Sequence, residues 1–295
     1  MGLPMATRLV PHADVAGFDP LDSSLGKARA AGVMPSGTPA AASAGAGIVV
    51  VAVRTLADVE AALFGPGGAI DALDPGAVVV LTSTIGAPGA QDVAARCARH
   101  DVRLLDAPVS GGPLRAASGD LLMLLGGDGE TVAAARTVVD LLASSVVVVG
   151  DRPGDGQAMK AVNQLLCGVH IAAAAEALAL ARGLGIDPTS ALDALAAGAA
   201  SSFMLANRGP RIVEALAGGS PEVLSRLDIF VKDMGIVAEA GRQAGVALPV
   251  AAAAEQLYRL GEVAGLASSD DSTVATLLGR EVTAAKAPTP SGRPA

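Results

Sequence analysis

The sequence predicts an α/β protein whose first half is a doubly wound sheet and whose second half is an all-helical domain. Up to residue 150, short runs rich in β-branched residues alternate with stretches of helical periodicity. The turn-forming stretch GDRPGDG at 150–156 ends this alternation, and no strand pattern follows it. We therefore predict a sheet domain over 1–151, a helical domain over 152–286 and a disordered tail over 287–295.

The chain opens with the pattern of a short helix, GLPMATRLV, followed by a short strand that ends at Asp19. A helix that leads into a strand ending in an acidic residue is the second half of a dinucleotide-binding βαβ unit. The strand and glycine-rich turn of the first half do not precede it. We therefore expect a Rossmann-like sheet that lacks its first strand, with a gap beside the strand at 14–18.

The rest of the first half supplies further strands, beginning with the continuous apolar run GIVVVAV, which is typical of a strand buried on both faces. Strands are predicted at 47–53, 77–83, 102–108, 121–127 and 145–150, with helices at 55–65, 87–100 and 131–143. This order predicts a parallel sheet with helices on both faces. Beyond it, Gly, Pro and Ser separate helices predicted at 157–185, 188–198, 201–217, 224–244, 248–264 and 271–279.

Composition excludes several classes of function. The chain of 295 residues is 51% hydrophobic and only 17% charged, as in a globular protein. A net charge of −8 and an aromatic content of 2% argue against a nucleic-acid partner. The longest apolar run is too short to span a bilayer, and the N-terminus does not have a signal-peptide pattern, so we expect no membrane partner.

The cysteines and histidines do not form a metal-binding pattern. Cys97 and Cys167 are far apart without a CxxC motif, which argues against a disulfide scaffold or zinc site and favours a cytoplasmic location. His12, His100 and His170 have no HxxxH or HExxH spacing. We therefore predict no metal site.

Ligands of open α/β sheets bind outside the carboxyl ends of the strands, so the residues that follow each strand are candidates for a binding site. Thr84 follows the strand at 77–83. The turn Ser110-Gly111-Gly112 follows the strand at 102–108 and offers backbone N–H groups and a hydroxyl that suit a carboxylate. Taken alone, SGG also fits an ordinary glycine-rich turn.

The long helix at the domain junction carries the most informative pattern. Lys160, Asn163 and Gln164 are spaced i, i+3 and i+4, so they share one face of an otherwise apolar helix. A partly desolvated lysine there has a lowered pKa, which suits proton transfer. The alternative is a surface lysine with two polar neighbours.

Two further charged positions also have two interpretations each. The Lys232–Asp233 pair interrupts an apolar helix and is either functional or a solvent-exposed pair. Asp19 either accepts hydrogen bonds from the ribose of a dinucleotide, which disfavours a 2′-phosphate, or is a turn residue before Pro20.

Together these stretches resemble the β-hydroxyacid dehydrogenase family, which includes 3-hydroxyisobutyrate dehydrogenase and tartronate semialdehyde reductase. The resemblance is carried, in order, by MGLPMA, STI, DAPVSGG, GQAMKAVNQ and the KD pair at 232–233. Within this family the chain looks most like the L-threonate dehydrogenase branch, through NQLLCGVHIAAAAEALALA, LDIFVKDMGIV and SSDDSTV. The stretch GGSPEVLSRLD diverges from that branch.

The resemblance implies an NAD-dependent oxidation of a small hydroxy acid, such as L-threonate to its 2-oxo acid, by a homodimer or homotetramer formed through the helical domain. The implied roles are acid/base for Lys160, substrate binding for Ser110, Gly111, Gly112, Asn163 and Gln164, and cofactor binding for Gly2, Asp19, Thr84 and Lys232. Alternatives are a 3-hydroxyisobutyrate dehydrogenase, a tartronate semialdehyde reductase, or a truncated paralogue without catalysis.

The chain departs from the family pattern at its start. Family members have a strand and a G-x-G-x-x-G turn before M-G-x-P-M-A, and Gly2 would be the third glycine of that turn. Asp19 then lies about 20 residues beyond the first glycine, the usual spacing. We expect a late start in the gene model, and weak NAD binding by the chain as printed. Calorimetric titration, compared with a chain extended by about 15–20 residues, measures this.

Overall fold

The computed structural model describes residues 1–278, and the predicted tail at 287–295 lies outside them. Five short elements come first: α1 (Gly2–Leu9), β1 (Ala16–Gly17), α2 (Asp22–Ala30), β2 (Met34–Pro35) and α3 (Pro39–Ser43). The predicted opening helix and the strand before Asp19 are therefore confirmed. No element between β1 and residue 47 was predicted, because that stretch is rich in Ala, Gly and Ser.

The main sheet follows, and its strands agree with the predicted apolar runs. Its elements are β3 (Ile48–Val51), α4 (Leu56–Phe64), β4 (Val78–Leu81), α5 (Ala87–Ala98), β5 (Arg103–Asp106), β6 (Val109–Ser110), α6 (Gly112–Ser118), β7 (Leu121–Gly126), α7 (Gly129–Leu142) and β8 (Ala143–Gly150). Local sequence sets the starts of these helices. Thr55 and Asp58 form a capping box at α4, and Asp128 caps α7.

The strand order is β3-β4-β5-β7-β6, and β8 also pairs with β7. Alternate residues of β4 enter opposite cores: Val79 packs with α4 and α5, whereas Val80 packs with α1 and α7. The sheet is therefore covered on both faces, as the continuous apolar runs predicted.

The prediction of an all-parallel sheet is wrong at β7. Strands β3, β4 and β5 are parallel, but β7 pairs antiparallel with both β5 and β6. A parallel return needs a crossover of a dozen or more residues, and most of the chain from β5 to β7 is used by β6 and the seven-residue α6. The chain therefore turns back, and α7 then places β8 parallel to β7.

The sheet is interrupted beside the first short strand, as expected. Among the described residues, β1 pairs only with β2, and β3 pairs only with β4. Ile48, Val49 and Val50 of β3 are half-buried, unlike the fully buried residues of β4. The edge of β3 away from β4 is therefore not paired with another strand among the described residues.

The second half of the described chain is helical: α8 (Asp155–Gly183), α9 (Pro188–Ala197), α10 (Phe203–Leu216), α11 (Leu227–Ala244), α12 (Pro249–Val263) and a final 3-10 helix (Asp271–Leu278). This agrees with the predicted helices, except that the last one is a 3-10 helix. By length and apolarity α8 matches a membrane span, but half of that stretch is buried, as in a core helix.

A close approach of two helices organises the helical core. Gly168 of α8 lies so close to the Met234 side chain of α11 that a Cβ at position 168 would require that side chain to move. The hydroxyl of Tyr258 on α12 donates to the Gly168 carbonyl at 2.7 Å, and its ring stacks on Phe230. This contact holds α8, α11 and α12 together around the residues that precede Gly168.

Candidate active site

The first turn of α8 is fixed to the sheet by a buried carboxylate. Asp106 ends β5 and is fully buried. Its Oδ2 accepts the backbone N–H groups of Gly154 and Gln157, each at 2.9 Å. An acceptor with negative charge at a helix N-terminus is favourable, because the first N–H groups of a helix have no partner within it.

The side chain of Gln157 extends this anchor to the end of β4. Its Nε2 donates to Asp106 Oδ1 at 2.9 Å and to the Ser83 carbonyl at 3.0 Å. Its Oε1 accepts the backbone N–H groups of Ile85 and Gly86 at 2.9 and 3.1 Å. Only 1% of Gln157 is exposed. We call Asp106 and Gln157 the anchor pair, since together they join both strand ends to α8.

Burial raises the pKa of Asp106 to about 6, and the hydrogen bonds from Gln157 and Gly154 oppose this rise. These donors stabilise the ionised carboxylate, which would otherwise take up a proton at a higher pH.

The anchor pair sets the position of Lys160 one turn later. Lys160 is 5% exposed, and its Nζ donates to Gln164 Oε1 at 2.7 Å. Asn163 Nδ2 donates to the same oxygen at 3.2 Å and to Cys167 Sγ at 3.1 Å. Asn163 Oδ1 has no hydrogen-bond partner among residues 1–278. The predicted face of α8 is therefore present, and Lys160 is not on the surface.

Burial is the main cause of a lowered pKa at Lys160, and the negative charge of Asp233 opposes it. Burial also raises the pKa of the neighbouring Cys167 thiol, which keeps that side chain neutral. A neutral amine becomes accessible at lower pH than for an exposed lysine, so Lys160 can exchange a proton with a ligand.

The Lys232–Asp233 pair joins α11 to both domains, and its aspartate is buried. Asp233 Oδ2 accepts Gln164 Nε2 at 2.5 Å, and only 3% of Asp233 is exposed. Lys232 Nζ lies 2.7 Å from Asp233 Oδ1 and donates to the Thr84 carbonyl at 2.6 Å. The structure thus connects Thr84, Lys232, Gln164 and Lys160.

The Ser110-Gly111-Gly112 turn lies at the junction of β6 and α6. Gly111 and Gly112 have φ values of 140° and 77°, which favour glycine. At Gly111 a Cβ would also lie 3.0 Å from Arg115 Cβ, whereas the space beside Gly112 is open. This open backbone at the start of α6 suits a small anion.

The N-terminal elements fit part of a dinucleotide. Gly2 begins α1 beside Ala52, just beyond β3, and no side chain caps the free N–H groups of this helix. Such a helix N-terminus suits a pyrophosphate. Asp19 follows β1 and uses Oδ1 to accept the Leu21 N–H at 2.9 Å, while Oδ2 has no hydrogen bond within residues 1–278. Both positions therefore agree with a dinucleotide lying across the strand ends.

The lysines and amides of the site are predictable from their spacing in the sequence, but the anchor pair was not predicted. Gln157 and Asp106 both lie in stretches that carry the family resemblance, three residues before Lys160 and at the start of DAPVSGG. A glutamine in the first turn of an apolar helix is the signal that was available. Asp233 was noted only as half of a charge pair, and its burial was not foreseen.

Comparisons with known proteins agree with this architecture. Residues 1–150 match the family described as the NAD binding domain of 6-phosphogluconate dehydrogenase. Residues 154–278 match the family described as NAD-binding of NADP-dependent 3-hydroxyisobutyrate dehydrogenase.

Individual relatives cover most of the chain. L-threonate dehydrogenase from Cupriavidus necator is 40% identical over 83% of this chain and 81% of its own length. The crystal structure of 3-hydroxyisobutyrate dehydrogenase from Salmonella typhimurium has a TM-score of 0.87 and 33% identity, covering 94% of this chain and 95% of that one. The Mycobacterium tuberculosis 3-hydroxyisobutyrate dehydrogenase structure has a TM-score of 0.79 and 30% identity, covering 94% and 95%.

Replacing Gln157 should destabilise the fold. Gln157→Leu keeps the size of the side chain but leaves the N–H groups of Ile85 and Gly86 without an acceptor. We expect the free energy of unfolding to fall by at least about 2 kcal/mol, because each buried unsatisfied group costs about 1–3 kcal/mol. Urea unfolding followed by circular dichroism measures this, since the chain has no Trp.

The matched control is Gln243→Leu, an exposed glutamine on α11. Its effect should stay within about 0.5 kcal/mol. Equal destabilisation by the two variants would rule out a special role for the anchor pair.

Proposed function

We propose that this chain, which belongs to the 3-hydroxyisobutyrate dehydrogenase-like family of NAD-dependent β-hydroxyacid dehydrogenases, oxidises a sugar acid such as L-threonate to its 2-oxo acid. The observation that carries the proposal is the buried Lys160, held by Gln164 and followed by Asn163 on one face of α8. Lys160 is the general acid/base of this proposal.

Oxidation of a hydroxyl-bearing carbon removes a proton from oxygen and a hydride from carbon. When bound, NAD supplies the hydride acceptor. Lys160 in its neutral form accepts the hydroxyl proton at Nζ, while the C–H bond breaks and the carbonyl forms. The lowered pKa of Lys160 makes this neutral form available at lower pH. Gln164 Oε1 then accepts a hydrogen bond from the ammonium that results.

Two other groups position the substrate in this proposal. The Ser110-Gly111-Gly112 turn binds the carboxylate through its backbone N–H groups and hydroxyl. Asn163 Oδ1 accepts a hydrogen bond from a substrate hydroxyl, since Asn163 Nδ2 already donates to Gln164 and Cys167. Both ends of the Gln164 amide are hydrogen-bonded to side chains, to Lys160 and to Asp233. This favours a role in orienting Lys160 over direct contact with the substrate.

The names of the relatives support the substrate class of this proposal. The Cupriavidus necator relative is named an L-threonate dehydrogenase, and this supports a four-carbon sugar acid. The two solved relatives are named 3-hydroxyisobutyrate dehydrogenases, so a branched hydroxy acid is the second candidate. Tartronate semialdehyde, reduced in the opposite direction, is the third.

Removing the lysine amine should abolish most of the activity on L-threonate. We expect Lys160→Ala to lower kcat by about 10²–10⁴, the usual effect of losing a positioned acid/base, with NAD affinity little changed. Steady-state rates on L-threonate, 3-hydroxyisobutyrate and tartronate semialdehyde are compared. They are measured on the chain itself or on the extended chain, whichever binds NAD more tightly.

The control is Lys27→Ala, at an exposed lysine on α2, which should leave kcat unchanged. Near-normal turnover by Lys160→Ala would remove Lys160 from the mechanism. A higher kcat/KM for either alternative substrate would move the assignment to that substrate.

The cofactor in this proposal is NAD in preference to NADP. Asp19 lies where the adenosine ribose of a dinucleotide is expected, and its carboxylate repels a 2′-phosphate. We expect kcat/KM to be higher with NAD, and Asp19→Asn to reduce this preference by about tenfold. Asp22→Asn, at an exposed position on α2, is the control. Equal use of both cofactors by the unaltered protein would show that Asp19 does not face the ribose.

We also propose that the enzyme is cytoplasmic and forms a dimer or tetramer through the helical domain. Met159, Val162 and Leu166 form an exposed stripe along α8, spaced i, i+3 and i+7, and are 41%, 57% and 51% exposed. An exposed apolar stripe is typical of an interaction surface, and in this proposal a second copy of the chain covers it. Light scattering should give the mass of two or four chains, and a single-chain mass would exclude this assembly.

A further inference from the structure

The orientation of the Gln164 amide depends on Asp233. A carboxylate only accepts hydrogen bonds, so Asp233 Oδ2 selects the NH₂ end of the amide, at 2.5 Å. The carbonyl end then faces Lys160 Nζ at 2.7 Å. Without the carboxylate the amide can turn around and present its NH₂ group to an ammonium, which is also only a donor. Asp233 therefore determines which end of the Gln164 amide faces Lys160.

The charges around Lys160 give Asp233 a second effect. The titratable groups whose charge acts on Lys160 are Asp233 and Lys232 on α11 and Cys167 on its own helix. Asp233 is the only one of these that is a carboxylate, and it also contacts Lys232 at 2.7 Å. Its negative charge stabilises a proton on Lys160, whereas burial and Lys232 favour loss of that proton.

We propose that Asp233 is a positioning residue for the reaction, which acts on Lys160 through the amide of Gln164. It fixes the direction of that amide and keeps the proton affinity of Lys160 from falling further. This inference rests on the proposed role of Lys160 as acid/base. It assigns to Asp233 no contact with substrate or cofactor.

The test is Asp233→Asn, which keeps the shape and removes the charge. In the unaltered protein, kcat/KM for oxidation should rise with pH as Lys160 loses its proton. In the variant this rise should occur about one pH unit lower, because an opposing charge shifts a neighbouring pKa by about one unit or more. The maximum kcat should also fall, while KM changes little.

The matched control is Glu239→Gln, which removes a negative charge from an exposed position of the same helix. Its pH profile should coincide with that of the unaltered protein. If Asp233→Asn also leaves the profile in place, the inference is wrong.

A direct titration does not depend on turnover. The chain contains four lysines, Lys27, Lys160, Lys232 and Lys286, so ¹³Cε-labelled lysine gives a spectrum that Lys→Arg variants can assign. The midpoint of Lys160 should be about one unit lower in Asp233→Asn than in the unaltered protein. Identical midpoints would overturn the inference.

A second variant covers the case in which Asp233→Asn does not fold. Gln164→Met removes both amide contacts and should also lower the Lys160 midpoint, because the ammonium loses its acceptor. An unchanged midpoint there would equally overturn the inference. The proposed function fails separately, if Lys160→Ala retains its turnover.

Discussion

The buried carboxylate of Asp106 fixes the first turn of α8 against the ends of two strands, and the reactive part of the molecule depends on that contact. Lys160, Asn163 and Gln164 have fixed positions only because α8 starts at a fixed point and direction. Gln157 carries the same constraint to Ser83, Ile85 and Gly86 at the end of β4. The sheet and α8 are thus joined at the site itself, by the buried hydrogen bonds of Asp106 and Gln157.

The distribution of charge at the site suits a proton acceptor for an anionic substrate. Two lysines, Lys160 and Lys232, share one buried carboxylate, Asp233. The surplus positive charge is costly in a poorly solvated place, and it is relieved when one amine is neutral. The amine that has only an amide as its direct partner is Lys160, whereas Lys232 contacts Asp233 and the Thr84 carbonyl. The two lysines therefore have different surroundings, and burial lowers the pKa of Lys160.

The sequence predicts most of the elements because apolar runs and helical periodicity are local properties. It does not predict strand direction, and β7 is antiparallel because the short β6 and α6 consume the connection that a parallel return needs. Lys160, Asn163 and Gln164 were found because their spacing on one helix is visible in the chain. The partners Asp106 and Asp233 lie 51 and 69 residues from the amides they bind, and no local pattern records such contacts.

The glycine at position 168 has a consequence for how losses of activity in this protein are to be interpreted. Its missing side chain lets Met234 sit directly on the backbone of α8, and Met234 is the neighbour of Asp233. One turn earlier on α8 is Gln164. A methyl group at 168 would force the Met234 side chain to move, and any shift of α11 that follows would change the Asp233–Gln164 contact without touching a group that meets the substrate. A change in the apolar core would then look, in a rate measurement, like a change in the chemistry of Lys160.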